Sequence, residues 1–326
     1  EQGAPVLVAR DDLGARLLDS LPFGLTGAQA RAMAEIGNDL AQPYPMQRLL
    51  QGDVGAGKTI VAALAACQAI SAGWQAAFMA PTEILAEQHY LKLRDWLEPL
   101  GVRVAWLSGS LKTKAKREQL AATAAGAQLI VGTHALIQEG VDFAKLGLAI
   151  VDEQHRFGVA QRLALRKKGD NPHQLMMSAT PIPRTLAMTH YADLDVSVLD
   201  ELPPGRTPIR TRLVSDVRRD EVVARVRAAC LEGRQAYWVC PLIEESEALQ
   251  LQTAQDTFAT LVEALPELRV GLVHGRLRNE EKSATMAAFS AGALDLLVAT
   301  TVIEVGVDVP NASLMVIEHA ERFGLA

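Results

Sequence analysis

Short apolar runs alternate with amphipathic stretches along most of the chain. Arg48–Gln51, Ala76–Ala80, Arg103–Leu107, Leu129–Val131, Ala149–Val151 and Leu175–Met177 have strand length, and their near-continuous apolar character marks strands buried on both faces. Helical or loop segments separate them. That alternation predicts an α/β fold, a parallel sheet covered by helices. The rhythm breaks at Leu202–Pro208, L-P-P-G-R-T-P, where three prolines and a glycine make a stiff, non-helical connector. Beyond it, strands are expected at Ile209–Val214, Gln235–Val239, Arg269–Val273, Leu294–Ala299 and Ser313–Ile317. Helices are expected at Arg218–Glu232, Gln252–Leu265 and Glu280–Gly292. At 326 residues two cores are the natural division: a first domain over 1–202, a linker over 203–208 and a second domain over 209–326. No repeat with a period of roughly 20–50 residues is visible.

One run imitates a membrane span. Ile60–Ala80 carries no charged residue and is long enough to cross a bilayer. Gln68, Ser71, Gly73 and Gln75 interrupt it, and Gly73 sits where a helix C-cap falls. A buried helix over Lys58–Ala72 followed by a buried strand from Gln75 accounts for it, so no membrane association is expected.

The first chemistry-bearing string is Gly52-Asp53-Val54-Gly55-Ala56-Gly57-Lys58-Thr59, which fits the phosphate-binding loop G-x-x-x-x-G-K-[ST]. It follows an expected strand and opens an expected helix, the context the motif requires. The glycines let the backbone wrap phosphates, amides at the helix N-terminus donate to them, Lys58 neutralises β/γ charge and Thr59 coordinates Mg²⁺. The second string, Ala149-Ile150-Val151-Asp152-Glu153, is an apolar strand ending in two acids. Beside a phosphate loop, Asp152 is placed to hold Mg²⁺ through water and Glu153 to orient and deprotonate the attacking water. Alone, the pair would equally suit an acidic loop. ATP and Mg²⁺ are the expected cofactors.

Composition narrows the partners. The chain is 49% hydrophobic and 21% charged, ordinary for a globular enzyme, with net charge -6, so no basic footprint announces nucleic acid. Recognition through backbone amides and hydroxyls stays open, because these contact phosphates without adding charge. Three dispersed cysteines and seven dispersed histidines show neither a disulfide framework nor zinc-ligand spacing, which fits reduced thiols and a cytoplasmic location.

Several strings then resemble superfamily 2 helicases. Asp152-Glu153-Gln154-His155 is similar to their D-E-x-H motif, and Ser178-Ala179-Thr180 to the S-A-T motif that couples their two domains. Leu25-Thr26-x-x-Gln29 resembles the adenine-reading Q motif. Ala80-Pro81-Thr82-Glu83 and Gly132-Thr133-His134 look like first-domain motifs that touch the nucleic-acid backbone. Val273-His274-Gly275-Arg276 and Ala299-Thr300-Thr301, with Gly306 and Asp308 following, look like second-domain counterparts. Longer strings, D-E-Q-H-R-F-G-V from Asp152 and T-P-I-P-R-T from Thr180, resemble the branch that holds the RecG and Mfd families; D-E-L-P-P-G-R from Asp200 and Glu244-Glu245-Ser246-Glu247 look like the RecG family.

That resemblance implies two RecA-like P-loop domains with mostly parallel sheets, the second truncated, and an ATP-hydrolysing DNA helicase that moves on duplex DNA. It implies branched or forked DNA as partner, a monomer, ATP contacts through Thr26, Gln29, Gly306 and Asp308, and DNA contacts through Pro81, Thr82, Thr133, His134, His274, Arg276, Thr300 and Thr301. Coupling falls to Gln154, His155, Ser178, Ala179, Thr180 and Arg184. The family's last helicase motif would follow Leu325, and its N-terminal wedge domain would precede Glu1, so the chain reads as a core fragment. Read without the family, Thr133, His134 and Arg276 fit a solvated surface, Asp308 a turn, and Arg184 either a structural ion pair or a coupling role. Trp106 and Trp238 fit the core. A P-loop switch without mechanical work and a degenerate structural module are the competing classes. The second domain counts against the first, and the intact Lys58, Thr59, Asp152 and Glu153 against the second.

Overall fold

The computed structural model describes residues 3–53, 56–109, 111–152, 159–179, 194–201, 210–241, 247–300, 309 and 311–319. The chain divides into two compact units, Glu1–Pro208 and Ile209–Ala326. In the first, seven strands form one sheet: β1 (Gln47–Gly52), β2 (Gln75–Met79), β3 (Val104–Leu107), β4 (Leu129–Gly132), β5 (Leu146–Val151), β6 (His173–Ser178) and β7 (Asp195–Leu199). Their order is β3-β4-β2-β5-β6-β1-β7 and every pairing is parallel.

Alternate strand residues feed two cores. Leu50, Phe78, Val131 and Ile150 pack on one side with α1 (Leu13–Ser20), α2 (Gly27–Leu40) and α3 (Lys58–Ser71). Leu49, Met79, Ile130 and Val151 pack on the other. Apolar side chains on both faces are what make these strands read as continuous runs. The apolar run after the phosphate loop resolves as expected: α3 is buried along most of its length, then Gly73 at φ +87 ends it and β2 begins. Among the described residues no helix is long and apolar enough to cross a membrane.

Polar groups inside this unit are tied down. Arg48 on β1 pairs with Asp39 at 2.8 Å and Glu35 at 3.3 Å on α2, and reaches Ser197 Oγ on β7 at 3.0 Å. His173, fully buried, accepts from the Met46 amide at 2.9 Å and its other ring nitrogen lies 2.6 Å from the Pro5 carbonyl. One nitrogen accepts and the other donates, so the ring is neutral, and burial accordingly lowers its pKa.

The second unit holds β8 (Gln235–Cys240), β9 (Val270–Val273), β10 (Leu296–Thr300) and β11 (Ala312–Ile317), ordered β11-β8-β10-β9 and again parallel throughout. Helices Arg219–Leu231, Glu247–Ala264 and Asn279–Ser290 accompany them. Two expectations need correction. Residues 210–214 form no strand: the segment is exposed, Leu213 at 92%, and strand propensity without a neighbouring strand to pack on does not make one. Conversely β7, an edge strand with three of its five residues exposed, escaped the search for apolar runs.

The smaller sheet repeats four strands of the larger one, with β9, β10, β8 and β11 standing for β3, β4, β2 and β5. The likeness extends to single hydrogen bonds. Gln75 opens β2 and its amide donates to the Thr123 and Ala127 carbonyls; Gln235 opens β8 and donates to those of Phe289 and Leu294. Arg103 bonds the Gly126 carbonyl as Arg269 bonds that of Gly292, at 3.0 and 2.9 Å. A register shift falls at the same point of β2–β5 and β8–β11. Among the described residues, β6, β1 and β7 have no counterpart in the second unit.

Candidate functional site

The candidate residues of the first unit gather at the C-terminal ends of its parallel strands. β1 leads into the phosphate loop, of which Val54 and Gly55 lie outside the described residues. Gly57 caps α3 with φ +86, the left-handed region, and a Cβ there would run into the Gln29 side chain. Lys58 folds its ammonium back over the loop, donating to the carbonyls of Gly52 at 2.5 Å and Asp53 at 3.1 Å, which puts the positive charge inside the turn. Thr59, half-buried, stands in the first turn of α3.

Thr26 and Gln29 form a reciprocal cap on α2. The Gln29 amide donates to Thr26 Oγ1 at 3.1 Å while Gln29 Oε1 accepts from the Thr26 amide at 2.9 Å. Gln29 Nε2 then donates to the Ala56 carbonyl at 3.2 Å. The side chain expected to read a base therefore also braces the phosphate loop, and it is 4% exposed.

Asp152 ends β5, and its amide is held by the Met79 carbonyl at 2.8 Å. Its side chain, 11% exposed, places Oδ2 2.6 Å from His89 Nε2 on α4 (Glu83–Leu97). The sequence pattern missed His89; the available signal was its place two helical turns after Thr82. β6 alone separates β5 from β1, so the strand ends carrying Asp152 and the loop lie roughly 10 Å apart. Ser178, buried, ends the intervening strand, with Ala179 next. Glu153, Gln154, His155, Thr180 and Arg184 lie outside the described residues.

Pro81 and Thr82 follow β2, and Thr133 and His134 follow the adjacent β4, which brings both motifs to one part of the sheet edge. Thr82 caps α4 by accepting from the Leu85 amide at 3.4 Å, and Thr133 accepts from the Ala135 amide at 3.4 Å. Burial lowers the pKa of His134. In the second unit His274 ends β9, and Arg276 beyond it is exposed. The pKa of His274 is lowered by burial and by the charges of Lys282 and Arg276. Near neutral pH both imidazoles act as hydrogen-bonding groups rather than cations. Thr300 is 3% exposed, with no hydrogen-bond partner for its hydroxyl among the described residues. Thr301, Gly306 and Asp308 lie outside them.

The DEAD/DEAH box helicase family matches residues 26–189, half of the chain and the part that holds the phosphate loop, Asp152 and Ser178. The chain belongs to that family. A helicase conserved C-terminal domain matches residues 221–323, so both units are RecA-like helicase domains. This helicase chain is 63% identical over 329 residues to ATP-dependent DNA helicase RecG of Escherichia coli (strain K12), covering 99% of itself and 48% of that protein. It is 51% identical over 328 residues to RecG of Synechocystis sp., covering all of itself and 40% of the relative. A solved structure of RecG bound to a three-way DNA junction superimposes with TM-score 0.81 at 46% identity, over 100% of this chain and 43% of the other. The helicase chain thus spans less than half the length of these relatives.

Proposed function

We propose that this helicase couples ATP hydrolysis to movement on duplex DNA and thereby remodels branched DNA such as stalled forks and Holliday junctions, acting as a monomer in the cytoplasm. The observation that carries the reading is the likeness, over 99% of this chain, to about half of RecG, a relative whose solved structure holds a three-way DNA junction. The geometry supports it: a lysine-bearing phosphate loop and an acidic strand end sit two strands apart on one sheet edge.

In this reading residues 1–202 and 209–326 are the two motor domains and 203–208 their linker. Loop amides from Gly52 to Gly57 and the Lys58 ammonium bind the phosphates, with Thr26 and Gln29 at the base and Gly306 and Asp308 at the ribose. Thr59 and Asp152 offer a hydroxyl and a carboxylate, hard oxygen donors of the kind Mg²⁺ takes, so the residues fit that ion. Bound there, Mg²⁺ would neutralise charge on the β- and γ-phosphates. Glu153 orients and deprotonates water. Pro81, Thr82, Thr133, His134, His274, Arg276, Thr300 and Thr301 face the DNA backbone, and Gln154, His155, Ser178, Ala179, Thr180 and Arg184 relay nucleotide state to it.

The test is the ATPase rate of the full-length protein without DNA, with linear duplex and with a three-way junction. Stimulation greatest on the junction is expected. A rate indifferent to every DNA form would instead indicate a nucleotide switch and overturn the reading.

A further inference from the structure

One face of α2 is tied to β7 and to the residues that follow it. Gly27, Arg31, Glu35 and Asp39 recur at every fourth position and so form a stripe along the helix, beside the buried stripe of Ala28, Ala32, Ile36 and Leu40. Towards the C-terminal end of α2, Glu35 and Asp39 hold Arg48 of β1, which also bonds Ser197 of β7. Towards its N-terminal end, Arg31 pairs with Asp200 at 2.9 Å. The Glu201 carboxylate lies against the first turn, where a Cβ on Gly27 would come within 3.0 Å of its Oε1. That end of a helix is its positive end, which favours a carboxylate there.

Asp200 and Glu201 immediately precede the connector Leu202–Pro208, itself outside the described residues. They follow Leu199, which stands in register with Gly52, the first residue of the phosphate loop. One helix therefore touches both the loop and the root of the connector. Gln29 Nε2 donates to the Ala56 carbonyl, and two residues further on Arg31 holds Asp200. As a stabilising contact the Arg31–Asp200 pair counts for little: its side chains are 54% and 63% exposed, and exposed ion pairs contribute weakly. Its place distinguishes it from other surface pairs.

We propose that Arg31 is a positioning residue for the connector. It fixes Asp200 to the helix that Gln29 ties to the phosphate loop, so a shift of that loop on nucleotide binding moves the root of the segment leading to the second unit. This rests on the reading of the protein as a DNA-stimulated motor.

The experiment is a double-mutant cycle in the full-length protein, measuring the ATPase kcat with a three-way junction, the DNA-free rate and KM for ATP. Arg31→Ala and Asp200→Ala are each expected to lower the DNA-stimulated kcat about two- to fivefold, the range of an exposed ion pair, with the DNA-free rate and KM unchanged. The double variant should lose no more than either single one, because both remove the same contact. Arg31→Lys, which keeps the charge, should retain most of the stimulated rate. An unchanged stimulated rate in Arg31→Ala, losses that multiply in the double variant, Arg31→Lys as slow as Arg31→Ala, or an equal fall in the DNA-free rate overturns the positioning role and leaves the helicase reading standing. Wild-type protein whose ATPase ignores DNA overturns both.

Discussion

Four strands of the first unit have close equivalents among the described residues of the second, and three have none there. The shared four carry the same buried glutamine at a strand start, the same arginine on a glycine carbonyl and the same register shift. The unshared strands β6, β1 and β7 carry the phosphate loop and Ser178 and receive the Gln29 and Arg48 bonds. The shared strands are thus a scaffold specified by backbone satisfaction, and in the first unit the phosphate loop lies on a strand beside them. Asp152 and Glu318 follow equivalent strands of the two units, and the proposed function gives the first a metal-holding role.

That division predicts effects of different kind as well as size. The largest belong to the chemistry. Glu153→Gln in the full-length protein should retain ATP binding and lose about 10²–10⁴-fold in turnover, the usual worth of a general base. Lys58→Ala should cost about 10²–10³-fold and weaken nucleotide binding as well. Hydrolysis by the glutamine variant within a few-fold of wild type would remove Glu153 from its role.

Scaffold substitutions come next and should be alike in the two units. Gln75→Ala and Gln235→Ala each remove two buried side-chain bonds, the Thr123 and Phe289 carbonyls keeping a helix-end amide while those of Ala127 and Leu294 lose their side-chain donor, costing about 1–3 kcal/mol in chemical denaturation, with nucleotide affinity unchanged in both. A cost in one unit only would break the equivalence. Gln29→Ala belongs to the unshared half: about 1 kcal/mol of stability should go with its cap, and nucleotide affinity should fall about fivefold, the equivalent of a further 1 kcal/mol of loop bracing.

Two smaller effects sharpen the contrast. Arg276→Ala should leave nucleotide binding intact, weaken DNA binding a few-fold and reduce the salt slope by about one; an unchanged slope would make it an ordinary surface arginine. His173 supplies a pH dependence. Its pKa is lowered in the folded protein and lies near 6.5 in the unfolded chain, so between those values the unfolded state binds more protons and stability rises with pH. The contribution is present above pH of about 6.5 and is lost as pH falls below it. His173→Asn should flatten the stability slope in that window by at most about one proton, whatever its effect on the plateau.

Much of the fold could be read before the structure, because strands buried on both faces announce themselves as apolar runs and α3 by the absence of charge. β7 could not: D-V-S-V-L presents three exposed positions in five, and one of its two buried positions is a serine. Residues 210–214 misled in the opposite sense, since R-T-R-L-V has strand propensity without a partner. The phosphate loop and Asp152 stood out because they show fixed residue types in fixed order, and the structure places both at strand ends of one sheet edge. His89 was not, because its meaning comes from a hydrogen bond across 63 positions of sequence. The duplication was hidden for a related reason: the features that repeat, Gly73-Trp74-Gln75 with Gly233-Arg234-Gln235 and Arg103-Val104 with Arg269-Val270, are too sparse to notice until their hydrogen bonds coincide.

The position of β1 has a consequence for how the protein is made. Both of its neighbours, β6 and β7, come late in the chain, beginning at His173 and Asp195. During synthesis at about 5–20 residues per second, the stretch from Gly52 to His173 takes roughly 6–24 s to emerge. Throughout that interval the phosphate loop hangs from a strand with neither edge paired, while β2, β3 and β4 can already zip together beside it. ATP can therefore be gripped only after the ribosome has delivered β6, and a nascent chain stalled just before that point would hold a nucleus of four parallel strands, β2 to β5, and no nucleotide.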